Sequence, residues 1–254
     1  MPRVKPVSHD DRLSIVDHLD ELRSRLVVCA LVVAVAFAFC FWQNAVILDI
    51  VNAPLPDGKQ PITLGPAESF TTTMTVSGYF ALLITLPIIL YQLYAFIIPA
   101  FSPQEKNIVR PYLIAMPILF LAGIAFAYFV VMPAAITFLL SFNDTQFNTQ
   151  LRAKDYYGFL GILTVVLGLL FQMPIALLAM TRLGVVTPDQ LAQNRRYAIF
   201  IISIVAAALP GGDPVSMILI MIPLVILYEA SVQLARRFGH AEDVPPSEPA
   251  PEGG

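Results

Sequence analysis

The chain has 254 residues, of which 57% are hydrophobic and 13% charged, with a mean hydropathy of +0.73. Soluble domains carry about 25% charged residues, so half that density excludes an ordinary soluble globule and points to a lipid-embedded protein. The mild net charge of −3 singles out no class of partner and gives no basic field for nucleic acid.

The first element is VDHLDELRSRL, residues 16–26, an acidic segment directly before an apolar run. On a helical wheel Ile15, Leu19, Leu22 and Leu26 share one stripe, and Asp17, Asp20, Glu21 and Ser24 share the opposite one. Residues 1–25 therefore read as an amphipathic cytoplasmic segment that shows carboxylates to water. Arg25 lies four residues past Glu21 and can pair with it, a contact of about 0.2–0.5 kcal/mol on an exposed helix. Arg23 is off the acidic face and positioned to anchor at headgroups.

A hydrocarbon core of about 30 Å needs roughly 20 apolar helical residues. Uncharged runs trimmed at turn residues predict six spans, at about 23–44, 75–97, 110–132, 156–180, 196–209 and 214–234. Together they form a helical membrane domain over 23–237. The first run exceeds the apolar core of a secretory signal, which is about 7–15 residues, and further spans follow it. Cys29 and Cys40 both fall on this first helix, roughly 16 Å apart by helical rise, so they predict neither a disulfide nor a metal site.

The stretch 52–70, NAPLPDGKQPITLGPAESF, is rich in proline and turn residues, and 141–157, SFNDTQFNTQLRAKDYY, is polar with aromatics. Together they predict a modest cap on the outer face. The loops on the other side are short. Ser102-Pro103-Gln104-Glu105 and Thr187-Pro188-Asp189-Gln190 both read as capping boxes with proline at the first helical position. The last two spans read as short: 197–209 gives about 20 Å of helix, roughly 10 Å less than the hydrocarbon core, before Pro210-Gly-Gly-Asp-Pro214 forces a turn into the sixth. Beyond 238 the sequence GHAEDVPPSEPAPEGG is proline-rich and acidic, the composition of a disordered tail.

Orientation follows from lysine and arginine. One set of loops and ends holds Arg3, Lys5, Arg12, Arg23, Arg25, Lys106, Arg110, Arg182, Arg195, Arg196, Arg236 and Arg237; the other holds Lys59, Arg152 and Lys154. The bias predicts both termini in the cytoplasm.

HLDELRSRL, NAPL, LPIILYQLYAFIIPAFSPQE, GIAFAYFVVMPAAITFL and LGVVTPDQLAQNRRY, in this order from residue 15 to about 237, resemble TatC. TatC is the multi-spanning receptor of the twin-arginine protein translocase. The resemblance implies an all-α membrane protein of the inner cell membrane that binds paired-arginine signal peptides of folded cargo. It implies an oligomeric complex with single-span subunits of the TatA/TatB type, and no cofactor, metal or nucleic acid. By family match the signal-binding acids are Glu21 and Glu105. Arg23, Arg25, Pro54, Phe96, Asp213 and Glu229 match further positions the family treats as functionally important. Departures are Gln172, where many members carry a glutamate, and Pro210 and Met217, where a relative has Thr and Gln. Glutamine keeps hydrogen bonding but cannot titrate.

The chemistry agrees. A guanidinium meets a carboxylate through a planar two-pronged fork that lysine cannot reproduce. Asp213 also fits an N-cap of the sixth span, and Glu229 an interfacial acid paired with Arg236 or another helix. The alternative class is a secondary transporter of a small solute, which needs convergent polar groups at the bilayer midplane; charge there is nearly absent. An enzyme is not expected. His9, His18 and His240 all lie outside the spans, and neither an HExxH motif nor a GxxxxGK loop occurs.

Overall fold

The structure, a computed structural model, describes residues 9–55, 60–97, 103–146, 149–209 and 213–238; for 9–18, 97 and 103–113 it describes the backbone alone. Among the described residues the protein is helical, and its single β-bridge joins two loops.

The acidic segment and the first apolar run form one uninterrupted helix, α1 (His9–Trp42). Nothing in 9–42 breaks it, because it holds neither proline nor glycine. Of its apolar window only 6% is buried inside the protein. Leu19, Leu22, Leu26, Leu31 and Val35 are all exposed, as a lipid-facing stripe requires. A short α2 (Asn44–Asn52) follows, then α3 (Glu68–Ile97) with Pro87 inside it. The next span begins with proline at its first position as α4 (Pro103–Phe126). It passes through a π segment (Ala127–Val131) into α5 (Met132–Ser141). This stretch runs well past the expected end near 132.

The central span is α6 (Ala153–Leu170) and α7 (Met173–Arg182), separated by a turn at Phe171–Gln172. It has the largest buried share of any span, 56%. Small residues let its neighbours approach. A Cβ on Gly123 of α4 would lie 2.8 Å from the Leu167 backbone oxygen and 3.0 Å from the Gly168 Cα. A Cβ on Gly168 would run into the Phe120 ring, and one on Gly161 into Tyr79. In lipid, where apolar burial does not drive association, such close backbone contact is a main source of helix packing.

The chain ends with α8 (Pro188–Gln193), α9 (Arg195–Ala208) and α10 (Pro214–Phe238). The capping box expected at Thr187 is formed: Gln190 N donates to Thr187 Oγ1 at 3.2 Å and Thr187 N to Gln190 Oε1 at 3.0 Å. The box at Ser102 lies outside the described residues. Five helical stretches are long and apolar enough to cross a membrane: 19–42, 68–96, 114–141, 153–182 and 214–238. The remaining candidate, α9, has 14 residues, or ~21 Å of helix, as short as its sequence implies, whereas α10, expected to be short as well, runs on through its arginines to 25 residues and is long enough to cross.

The two polar loops do meet in a cap. Ile62 N donates to Leu151 O and Ala153 N to Ile62 O, both at 2.8 Å. Arg152 Nε donates to the buried Glu68 carboxylate at 2.8 Å, and Leu64 N donates to the same group at 2.9 Å. Three tyrosine hydroxyls close the end of α2. Tyr128 donates to Ile50 O at 2.6 Å, Tyr156 to Val51 O at 2.7 Å and Tyr157 to Asn52 Oδ1 at 2.9 Å. Tyr128 and Tyr156 bond backbone carbonyls of the last turn, where a helix end leaves carbonyls without intrahelical partners, and Tyr157 holds the Asn52 side chain.

Candidate functional site

The end of the molecule opposite this cap carries the acid-bearing part of α1. Here α1 lies along α3, and the contact is fixed by one arginine. Arg25 donates from Nε and Nη2 to Glu21 Oε1 at 3.0 and 2.5 Å, one helical turn back. Its Nη1 donates to Gln92 Oε1 of α3 at 2.9 Å, and Nη2 also approaches Ala95 O at 3.5 Å. The guanidinium thus uses three nitrogens on two helices, which only its forked geometry permits.

The side chains of Arg25 and Glu21 are 25% and 37% exposed, so the pair is half-shielded. An exposed i,i+4 pair contributes about 0.3–0.5 kcal/mol; here Gln92 and Ala95 add tertiary restraint. Phe96 follows Ala95 directly and is half-buried. Three of the expected residues, Glu21, Arg25 and Phe96, therefore converge where α1 crosses the end of α3. Arg23 is exposed on the outer side of α1. Glu105 stands in the first turn of α4, and its side chain lies outside the described residues.

Gln92 is the residue that sequence reasoning missed. Its signal is a lone uncharged polar group inside LPIILYQLYAFIIP, which periodicity alone cannot distinguish from a lipid-facing glutamine.

The other expected residues are elsewhere. Pro54 is in the turn after α2, on the capped end. Asp213 is buried and caps α10, with Oδ1 accepting from Ser216 N at 2.8 Å. Glu229 pairs with Arg195 of α9 at 2.9 Å, and Arg236 instead stands 4.0 Å from Asp189. Gln172 is buried in the α6–α7 turn and donates to Met116 O of α4 at 3.2 Å. An apolar groove of about 560 Å³ opens between α3, α4 and α6, with Ile84, Pro87, Leu121, Ile124 and Thr164 among its walls. The arrangement offers a half-shielded carboxylate on a rigid helix crossing, with an apolar groove in the membrane-embedded body. Such a combination suits a ligand that is cationic at one end and apolar beyond it.

Comparison with known proteins gives one answer at every level. The family described as Sec-independent protein translocase protein (TatC) matches residues 17–223. The TatCd protein of Bacillus subtilis is 36% identical over 223 residues, covering 87% of this chain and 90% of that one. The chloroplastic TATC protein of Arabidopsis thaliana is 34% identical over 241 residues, covering 94% and 71%. A crystal structure of the twin-arginine translocase receptor TatC superposes with a TM-score of 0.76 at 35% identity, covering 87% of this chain and 98% of its own.

Proposed function

Since the chain belongs to the TatC family of Sec-independent protein translocase proteins, we propose that Glu21 and Glu105 grip the paired arginines of an export signal. The observation that carries the reading is the Glu21–Arg25–Gln92 network, which fixes a carboxylate at the α1–α3 crossing. A carboxylate has two oxygens and about four acceptor sites, so Glu21 can hold Arg25 and still receive an incoming guanidinium. Arg25 then serves as a positioning group rather than a blocking one.

Charge-assisted hydrogen bonds contribute about 1.5–3 kcal/mol each, and fully exposed pairs about 0–1 kcal/mol. Two such contacts separate Arg-Arg from Lys-Lys by a few kcal/mol. The apolar part of the signal then lies along the membrane helices, where the groove between α3, α4 and α6 has the matching chemistry.

In this proposal both termini and the α1 acids face the cytoplasm of the inner membrane, on the lysine and arginine bias. The five long spans and the short α9 make six crossings. The cargo is folded protein bearing the signal, and the working unit is an oligomer with single-span partner subunits.

The test is site-specific crosslinking of an Arg-Arg signal peptide to the membrane-inserted protein. Glu21→Ala combined with Glu105→Ala abolishes the crosslink while insertion is unchanged. Crosslinking at wild-type level in the double variant would end the assignment.

A further inference from the structure

The central span ends on an arginine with no counter-charge among the described residues. In LLAMTRLGVV, Arg182 is the lone ionisable residue, and it occupies the last turn of α7. The helix end itself does not need it. Gly184, with φ +69°, closes a left-handed cap. Gly184 N donates to Thr181 O and Val185 N to Met180 O, at 3.2 and 3.0 Å. That is the paired bonding which satisfies terminal carbonyls.

Arg182 is only 9% exposed, and its Nε and Nη1 are buried with no acceptor. Two acids described on this side of the molecule are engaged elsewhere, Glu229 with Arg195 and Asp189 near Arg236. Two buried guanidinium nitrogens without an acceptor among the described residues are costly for a fold to hold. Their retention points to an anion supplied from outside these helices.

We propose that Arg182 anchors a site for the phosphate of an anionic phospholipid. Depth identifies the occupant. Arg182 closes the 30-residue apolar stretch Ala153–Arg182, so its side chain sits where hydrocarbon gives way to headgroups. α10 packs on α7, and its Tyr228 OH donates to Leu191 O of α8 at 2.7 Å. The start of α9 and the end of α10 each carry an arginine beside an aromatic ring. Arg196 lies over the Tyr197 ring at 4.9 Å and Arg237 over the Phe238 ring at 5.8 Å. Neither arginine has an acidic partner among the described residues. Aromatics interleaved with surplus arginine are what a membrane interface with anionic headgroups selects. A phosphodiester offers two oxygens to the guanidinium fork, and the bilayer presents it continuously at this depth. The site rests on burial and depth alone and stands independently of signal recognition.

The test uses the full-length protein in neutral detergent, with phosphatidylglycerol, phosphatidylcholine or inorganic phosphate as the sole additive. Thermal unfolding and native mass spectrometry are the readouts. Phosphatidylglycerol raises the wild-type melting temperature more than phosphatidylcholine does, and stays bound in the gas phase. Arg182→Gln loses most of that difference and retains the lipid roughly tenfold less. Arg182→Lys keeps part of it, since an ammonium meets phosphate as a point charge, and Lys154→Gln, at an exposed base on the capped end, responds as wild type. In lipid-free detergent Arg182→Met melts higher than wild type, because it removes an uncompensated buried charge. An equal phosphatidylglycerol response in wild type and Arg182→Gln overturns the site. A full response to inorganic phosphate alone overturns the lipid assignment.

Discussion

At the scale of single residues, the proposed recognition site and the architecture share one side chain. Arg25 binds Glu21 within α1 and Gln92 across to α3, so the geometry of the acid depends on a neutral amide 67 residues away in sequence. Replacing Gln92 by leucine removes the acceptor without adding charge and keeps α3 apolar. Arg25 then loses its interhelical restraint, and Glu21 samples rotamers unsuited to the incoming fork. The expected outcome is a several-fold loss of Arg-Arg peptide affinity, about 1 kcal/mol, with insertion and melting temperature nearly unchanged. A peptide titration against the purified protein checks it; unchanged affinity would mean that Glu21 is positioned by α1 alone. Glu21 and Arg25 were legible from their spacing in HLDELRSRL. Gln92 was not, because a partner across two helices leaves no periodic trace in either.

Elements show a similar division between local and tertiary causes. Helix starts were written locally. Proline stands first in α4, α8 and α10, and the Thr187 box forms with the partners its spacing implies. Helix interruptions are only half local: each is followed by a proline, Pro133 or Pro174, whose missing N–H breaks the ladder, while the contacts made there are tertiary. The π segment AYFVV holds no proline, glycine or charge, yet it lets Tyr128 reach Ile50 O at 2.6 Å. The turn at Gln172 coincides with a bond to α4, a contact that no local pattern announces. The short α9 is the exception, an irregular element fully visible in sequence because Pro210 and Pro214 bracket its turn. At ~21 Å it cannot match a hydrocarbon core of about 30 Å without local thinning or shelter from its neighbours. If thinning serves export, adding five leucines to α9 brings it close to the hydrocarbon thickness and relieves the strain on the bilayer. Such a variant should bind signal peptide as wild type does and fail to export cargo. Both are measurable in the same vesicles, and normal export would show that the short hairpin is only a packing solution.

On the scale of the whole molecule, the two ends are built differently. The end at the α1–α3 crossing, where we propose the signal is received, is half-exposed and held by Arg25. The capped end is stitched by backbone bonds between Ile62 and residues 151 and 153, three tyrosine hydroxyls, and the Glu68–Arg152 pair. The cap was anticipated from proline and turn content in its loops, but its ion pair was not, since Glu68 and Arg152 are 84 residues apart. The pair also makes a sharp prediction. Glu68 is buried, with a side chain 7% exposed, whereas Arg152 is 42% exposed. Arg152→Ala therefore strands a buried carboxylate, while Glu68→Gln leaves a guanidinium that water can still reach. Removing the solvated partner should cost more stability than neutralising the buried one. In the double variant Glu68→Gln/Arg152→Ala, the glutamine amide can still accept from Leu64 N, and no unpaired charge remains inside. The double variant should accordingly melt above Arg152→Ala alone, a non-additivity that a double-mutant cycle in detergent measures directly. Losses that simply add would mean that Glu68 is reached by solvent and that the loops are joined by their backbone bonds alone.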